Sequence, residues 1–155
     1  MHLPHLKPFG NGTIVFITVC THAREPLLAS PVVHTTIREV WNKSAQLNGW
    51  FVGRYVLMPD HVHLFACPGQ GAVSLADWIQ LWKTITAKSI NRTLSRRGAL
   101  WQADYFDRFL RSLRDYEQKW DYVVRNPVRK KLVTDHEHWP YSGIIHDLRH
   151  ISPRD

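Results

Sequence analysis

Apolar-periodic runs in the order strand, helix, strand, strand, helix, strand, with one more helix after them, predict an α+β domain. The class is a ferredoxin-like split βαβ sandwich: an antiparallel sheet with helices on one face plus a C-terminal helix. Two further observations agree with it. Met58-Pro59-Asp60 is a short Pro-containing connection between two strand-like runs, as an antiparallel hairpin requires. No repeat, linker or low-complexity tract divides the 155 residues, so one domain over 1–155 is expected, with its core at about 13–143.

The elements follow in order. Thr13 to Val19, TIVFITV, is β-branched and aromatic behind Gly10 and Gly12, and reads as a buried strand. Ser30 and Pro31 form an N-cap and first turn for a helix from about Val32 to Leu47, which Gly49 ends. Trp50 to Leu57 and His61 to Ala66 are the hairpin strands. Ser74 caps a second helix, which carries Leu75, Trp78, Ile79, Trp82, Ile85 and Ile90 at near-helical spacing and runs to about Leu94. Arg96-Arg97-Gly98 breaks it before a strand at about Tyr105 to Leu110. A third helix spans about Leu113 to Arg125 and stops before Asn126-Pro127, because the residue preceding proline avoids the α region. A short turn then leads into a tail rich in Trp, Tyr and His.

Composition narrows the function. A hydrophobic content of 44% with seven Trp excludes a disordered chain. Cys20 and Cys67 are far apart and form no C-x-x-C, which fits buried reduced thiols in a reducing compartment. Met1 to Gly12 has no signal-peptide core, and no apolar run approaches the ~20 residues of a membrane span, so a cytoplasmic, nucleoid-associated protein is expected. The formal charge of +7 favours a polyanionic partner, with nucleic acid first.

His61 and His63 stand two apart on a strand, so their imidazoles share a face while Val62 and Leu64 turn to the core. Two neutral imidazoles on a rigid strand make two-thirds of a small open metal site. Packed or exposed histidines remain the plainer reading of the motif alone. His136-Glu137-His138 repeats the spacing without strand-like flanks. In the run DYVVRN, Tyr122 and Asn126 are i and i+4 and would share a helix face. If that face meets the histidines, the Asn126 carbonyl oxygen can supply a third ligand, and Tyr122 lies beside the activated phosphate, where its oxygen can form a phosphotyrosine. A core aromatic and an N-cap are the structural alternatives for these two residues.

Taken together these runs resemble the REP-associated tyrosine transposases of the single-tyrosine HUH superfamily. MPDHVHL from Met58 to Leu64 is similar to that family's M-P-N-H-V-H-L. Trp101-Gln102 with Tyr105-Phe106-Asp107 resembles its W-Q-x-x-[FY]-x-D, and DYVVRNPV from Asp121 to Val128 its Y-I-x-x-N-P-V. Leu132-Val133 and Trp139-Pro140-Tyr141-Ser142 fall where the family has G-L-V and W-P-x-S, and the likeness spans Thr13 to Gly143. The resemblance implies that His61, His63 and Asn126 bind a divalent ion, Mg²⁺ or Mn²⁺, and that Tyr122 is the nucleophile. It further implies cleavage and rejoining of single-stranded DNA at REP-like hairpins through a 5′-phosphotyrosine. Tyr116, six residues upstream of Tyr122, is the competing nucleophile. Asp60 departs from the family's asparagine and Lys131 from its glycine.

Lys83, Lys88, Arg92, Arg108, Arg111, Arg125, Arg129 and Lys130 are the candidate DNA contacts, with Lys83 and Lys88 on a stretch similar to the family's DNA-facing K-S-x-T helix. Trp101 and Tyr105 are candidate base-stackers as well as candidate core. The expected partner is single-stranded or hairpin DNA, bound by a monomer or homodimer without membrane association. Two alternatives compete with the enzyme: a catalytically inactive hairpin-binding protein of the same fold, and a metal-dependent hydrolase that uses water, for which the chain offers no evident carboxylate set.

Overall fold

The computed structural model describes residues 13–150, so the reading of Met1–Gly12 lies outside the described residues. The order of elements is β1 (Val15–Cys20), α1 (Pro31–Asn48), β2 (Trp50–Met58), β3 (His61–Pro68), α2 (Leu75–Thr93), β4 (Phe106–Phe109), α3 (Leu113–Val123), α4 (Asn126–Arg129) and β5 (Ser142–Ile144). The strands form one antiparallel sheet in the order β4-β1-β3-β2-β5. Interleaving two βαβ halves gives the first four positions, as the sequence predicted. The three-residue β5 then adds to the β2 edge and was not foreseen.

Local chemistry sets the helix ends. Ser30 Oγ accepts from Val33 N at 3.4 Å with Pro31 in the first turn, and Gly49, at φ +80°, closes α1 in a conformation that a side chain would strain. Ser74 and Ser112 cap α2 and α3 by accepting from Asp77 N and Asp115 N. α1 and α2 pack on one face of the sheet, where Val15, Ile17, Val19, Val62 and Leu64 join Trp41, Trp78 and Trp82. The opposite face carries Ile14, Phe16, Phe65 and Met58, and α3 covers it with Tyr116, Trp120 and Val123 at i, i+4 and i+7. Arg54 pins that helix: it donates to Glu117 Oε1 at 2.8 Å, and its guanidinium lies 5.5 Å from the Tyr116 and Trp120 rings.

One expectation is corrected, and for Trp101 the core alternative holds. Cys67 is buried, but Cys20, beside the histidines, is only partly so. Trp101 is a core residue, buried and donating its indole N–H to Thr86 Oγ1 at 3.0 Å, so its ring is not free to stack on a base, while Tyr105 packs partly buried against the same core. The second H-x-H, which has no strand-like flanks, is a 3-10 turn, His136–His138. Among the described residues no helix is long and apolar enough to cross a membrane.

Candidate active site

Antiparallel pairing puts Thr18 opposite His63 and Cys20 opposite His61, all on the face that α3 covers. The expected division holds, since Val62 and Leu64 point into the core beneath α1 and α2. Across the strands, Thr18 Oγ1 lies 2.8 Å from His63 Nδ1. His61 Nδ1 lies 2.8 Å from Asp60 Oδ1, and Arg24 Nε donates to Asp60 Oδ2 at 3.0 Å. The segment after β1 bolts this corner down: Thr21 N donates to Asp60 O and Leu28 N to Pro59 O, both at 2.9 Å. Ala23 and Arg24 both take left-handed backbone, φ 55°, a strained arrangement for residues with a Cβ, and it brings Arg24 to Asp60.

With Nδ1 of each ring engaged, Nε2 is the atom left to meet a ligand. The rings stand 4.7 Å apart at 77°, and Phe16 stacks on His63 at 5.4 Å. Burial, reinforced by His61, Lys119 and Arg129, pushes the His63 imidazole down to about 3. Burial also lowers His61, although Asp60 opposes the shift. Both rings are therefore neutral near pH 7, with lone pairs available to a metal.

α3 and α4 bring the remaining residues to this face. Tyr122 is 60% exposed, whereas Tyr116, six residues earlier, is buried against Phe65 at 4.9 Å with its phenol pushed up to about 12 by burial. Lys119 Nζ sits 4.8 Å from the Phe16 ring and 5.7 Å from the Tyr122 ring, which links the tyrosine to the aromatic stacked on His63. Arg129 lies 3.8 Å above the Tyr122 ring and donates to Asn126 Oδ1 at 3.0 Å. A cleft of about 310 Å³ beside Tyr122 is lined by Arg108, Gln118 and Lys119, and one of about 220 Å³ beside His61 by Arg24, Asp60 and Lys130.

Tyr122 and Asn126 do not share one helix. α3 ends at Val123, and Asn126 opens α4, with Pro127 in its first turn. Arg129 joins the two side chains instead. Sequence reasoning missed Lys119, although its place three residues before Tyr122 on an amphipathic helix was the available signal.

The basic residues divide. Lys83 is 6% exposed and donates to Gln102 O at 2.6 Å and Ala103 O at 3.1 Å, so its ammonium is committed inside the protein and the DNA-contact expectation fails for it. Lys88 and Arg92 are exposed on α2, across the sheet from the histidines. Arg108, Arg129 and Lys130 line or flank the site, and Arg111 and Arg125 are exposed next to α3 and α4. Among the described residues no group of three or more His, Cys, Asp or Glu is placed to hold a metal ion, and the Asn126 amide oxygen is engaged by Arg129. The two imidazoles, neutral and anchored, fit a divalent ion, and the Asn126 oxygen keeps a second lone pair beyond its bond to Arg129.

Residues 12–116 match the family described as Transposase IS200 like, a span that contains the histidine pair and stops before Tyr122. The chain is similar to a putative REP-associated tyrosine transposase of Haemophilus influenzae, 23% identical over 159 positions, covering 96% of this chain and 90% of that one. It is also similar to the REP-associated tyrosine transposase of Escherichia coli K12, 25% identical over 149 positions, covering 94% and 84%. Among solved structures, a REP-associated tyrosine transposase bound to a REP hairpin superposes with a TM-score of 0.68 at 20% identity, covering 91% of this chain and 82% of that one. A putative transposase from Deinococcus radiodurans gives 0.55 at 20% identity, covering 74% and 91%. These structures share the fold.

Proposed function

The chain belongs to the IS200-like transposase family, and from that premise we propose that it cleaves and rejoins single-stranded DNA beside hairpin sequences through a 5′-phosphotyrosine on Tyr122. The observation that carries the reading is that both histidines spend Nδ1 on the protein and turn to the same face of the sheet as an exposed tyrosine flanked by two cations. The solved relative bound to a REP hairpin supports hairpin DNA as the substrate class.

The Tyr122 oxygen attacks the scissile phosphorus, its proton passes to solvent, and the bond from phosphorus to the 3′ oxygen breaks. The departing 3′ oxygen takes up a proton, and the 5′ end stays on the protein. Rejoining is the reverse attack by a 3′-hydroxyl, and the phosphodiester energy is kept throughout. Lys119 and Arg129 face the charge that builds on the phosphoryl oxygens, in the manner of a fixed electrostatic clamp. Asp60 and Thr18 keep the His61 and His63 rings oriented. When held by His61, His63 and Asn126, a divalent ion, Mg²⁺ or Mn²⁺, would supply Lewis-acid polarisation of the phosphate.

Incubation of the protein with labelled hairpin DNA and Mn²⁺ or Mg²⁺ should give a covalent adduct on a denaturing gel. Tyr122→Phe should abolish it and Tyr116→Phe should not. An adduct that persists in Tyr122→Phe sinks the assignment, and hairpin binding with no adduct in the native chain would favour the inactive DNA-binding alternative.

A further inference from the structure

β4 is an edge strand, paired to β1 on one side only. Its residues alternate between the two faces of the sheet. Phe109 turns inward and packs against the core beneath α1 and α2. Phe106 and Arg108 turn to the other face, because Phe106 stands opposite Thr18 and Arg108 opposite Phe16. Thr18 is in turn opposite His63. The order across the sheet on the catalytic face is therefore Phe106, Thr18, His63.

Phe106 is 55% exposed and meets the Phe16 ring edge-on at 6.5 Å. One isolated apolar side chain at the surface needs no explanation. This one is not isolated from chemistry. Phe16 carries the stacked His63 on one side and the Lys119 ammonium 4.8 Å from its ring, and Arg108 is on the same face of the same strand. An exposed aromatic plane with cations on the same face, beside groups suited to a phosphate, is the composition of a single-strand binding track: the cations follow the backbone and the ring receives a base. With neighbouring strands ~4.8 Å apart, the Phe106 and His63 backbones are roughly 10 Å apart, a span of one or two nucleotides.

We propose that Phe106 is a base-stacking platform, which holds an unpaired nucleobase of single-stranded DNA next to the phosphate that Tyr122 attacks. The inference rests on the functional reading above. It assigns to the edge strand a role in setting which phosphodiester enters the site, since a base parked on Phe106 fixes the register of the strand over His61, His63 and Tyr122. Stacking tolerates every base, so Phe106 sets position rather than sequence.

The test is a binding cycle with the full chain and a set of single-stranded oligonucleotides that carry one abasic site, moved through the flank nucleotide by nucleotide. Native protein should lose about ten-fold or more in affinity at one or two adjacent positions, in line with the cost of removing a stacked base. Phe106→Ala and Phe106→Leu should bind the intact oligonucleotide correspondingly less tightly and lose little further when the base at those positions is absent; Phe106→Trp should restore both properties. The leucine variant keeps an apolar side chain and lacks the ring, which separates stacking from general packing. Additive losses, with no position coupled to Phe106, overturn the proposal. It is also overturned if Phe106→Ala changes the sedimentation of the protein and leaves the abasic profile intact, since the ring would then be covered by a second copy at the sheet edge. Because binding is read without cleavage, a native chain that forms no adduct but shows the coupling removes only the cleavage reading. An adduct without coupling removes only this one.

Discussion

Asp60 accepts through both carboxylate oxygens, one toward His61 Nδ1 and one toward Arg24 Nε. An asparagine, the residue that the resembled family has at this place, offers one acceptor oxygen and one donor nitrogen and cannot accept from both. Burial alone would raise the Asp60 carboxyl, but the hydrogen bonds from Arg24 and His61 outweigh it and hold the group below the usual carboxylate range. It stays ionised, fixes the His61 ring and increases the basicity of Nε2, as a carboxylate behind a ligating histidine does. The departure is therefore expected to strengthen the histidine corner. Asp60→Asn should weaken Mn²⁺ binding by about ten-fold, toward the low end of the usual cost of removing such a partner. Titration calorimetry on a Tyr122→Phe background checks this, and an unchanged or tighter affinity would refute it.

At the scale of elements, residue type and position conflict in α2. Ile79, Lys83, Thr86 and Ile90 stand at i, i+4, i+7 and i+11, and all are buried. The charge of Lys83 suggested a DNA contact, but its position on the buried face prevailed because the loop carbonyls of Gln102 and Ala103 accept the ammonium. Lys83→Met leaves both without that partner and should cost about 2 kcal/mol, lowering the melting temperature by roughly 4–8 °C for a chain of this size. DNA affinity well below that temperature should stay within about two-fold of native. A normal melting curve with lost DNA binding would return Lys83 to the interface.

The strands, α1, α2 and the hairpin were legible because each has a clear period or a cap residue, and the strand period alone put His61 and His63 on one face. β5 was not, since three residues have no period and pair only because the folded β2 edge is there. The register shift between Val52 and Tyr55, which brings both to the same core, also has no local signature. The break after Val123 was half legible: Pro127 forbade a continuous helix, but the Arg129 bridge between Tyr122 and Asn126 depends on the turn geometry. The family's glycine before Leu132-Val133 is explained as well, because Lys131 takes φ 60° there, a conformation glycine adopts without strain.

For the molecule as a whole, the sheet separates two basic surfaces. Arg108, Lys119, Arg129 and Lys130 gather around the histidine face, while Lys88 and Arg92 lie on α2 beyond the opposite face. On the proposed function, a flexible strand entering the site meets the first group. Phosphates that reach the second must belong to a stem that extends past the sheet. Under the proposed function, the net charge of +7 would serve two separable jobs. On the single-stranded flank alone, Arg108→Ala and Arg129→Ala should each lower affinity and reduce the slope of log affinity against log salt by roughly 0.7, the counterion release of one single-strand phosphate contact. Lys88→Ala with Arg92→Ala should leave that oligonucleotide unaffected and weaken only the hairpin substrate, with its own loss of salt slope. If the α2 pair instead weakens the isolated flank, the strand runs around the edge of the sheet and the two surfaces act as one, which a salt titration with both oligonucleotides will distinguish.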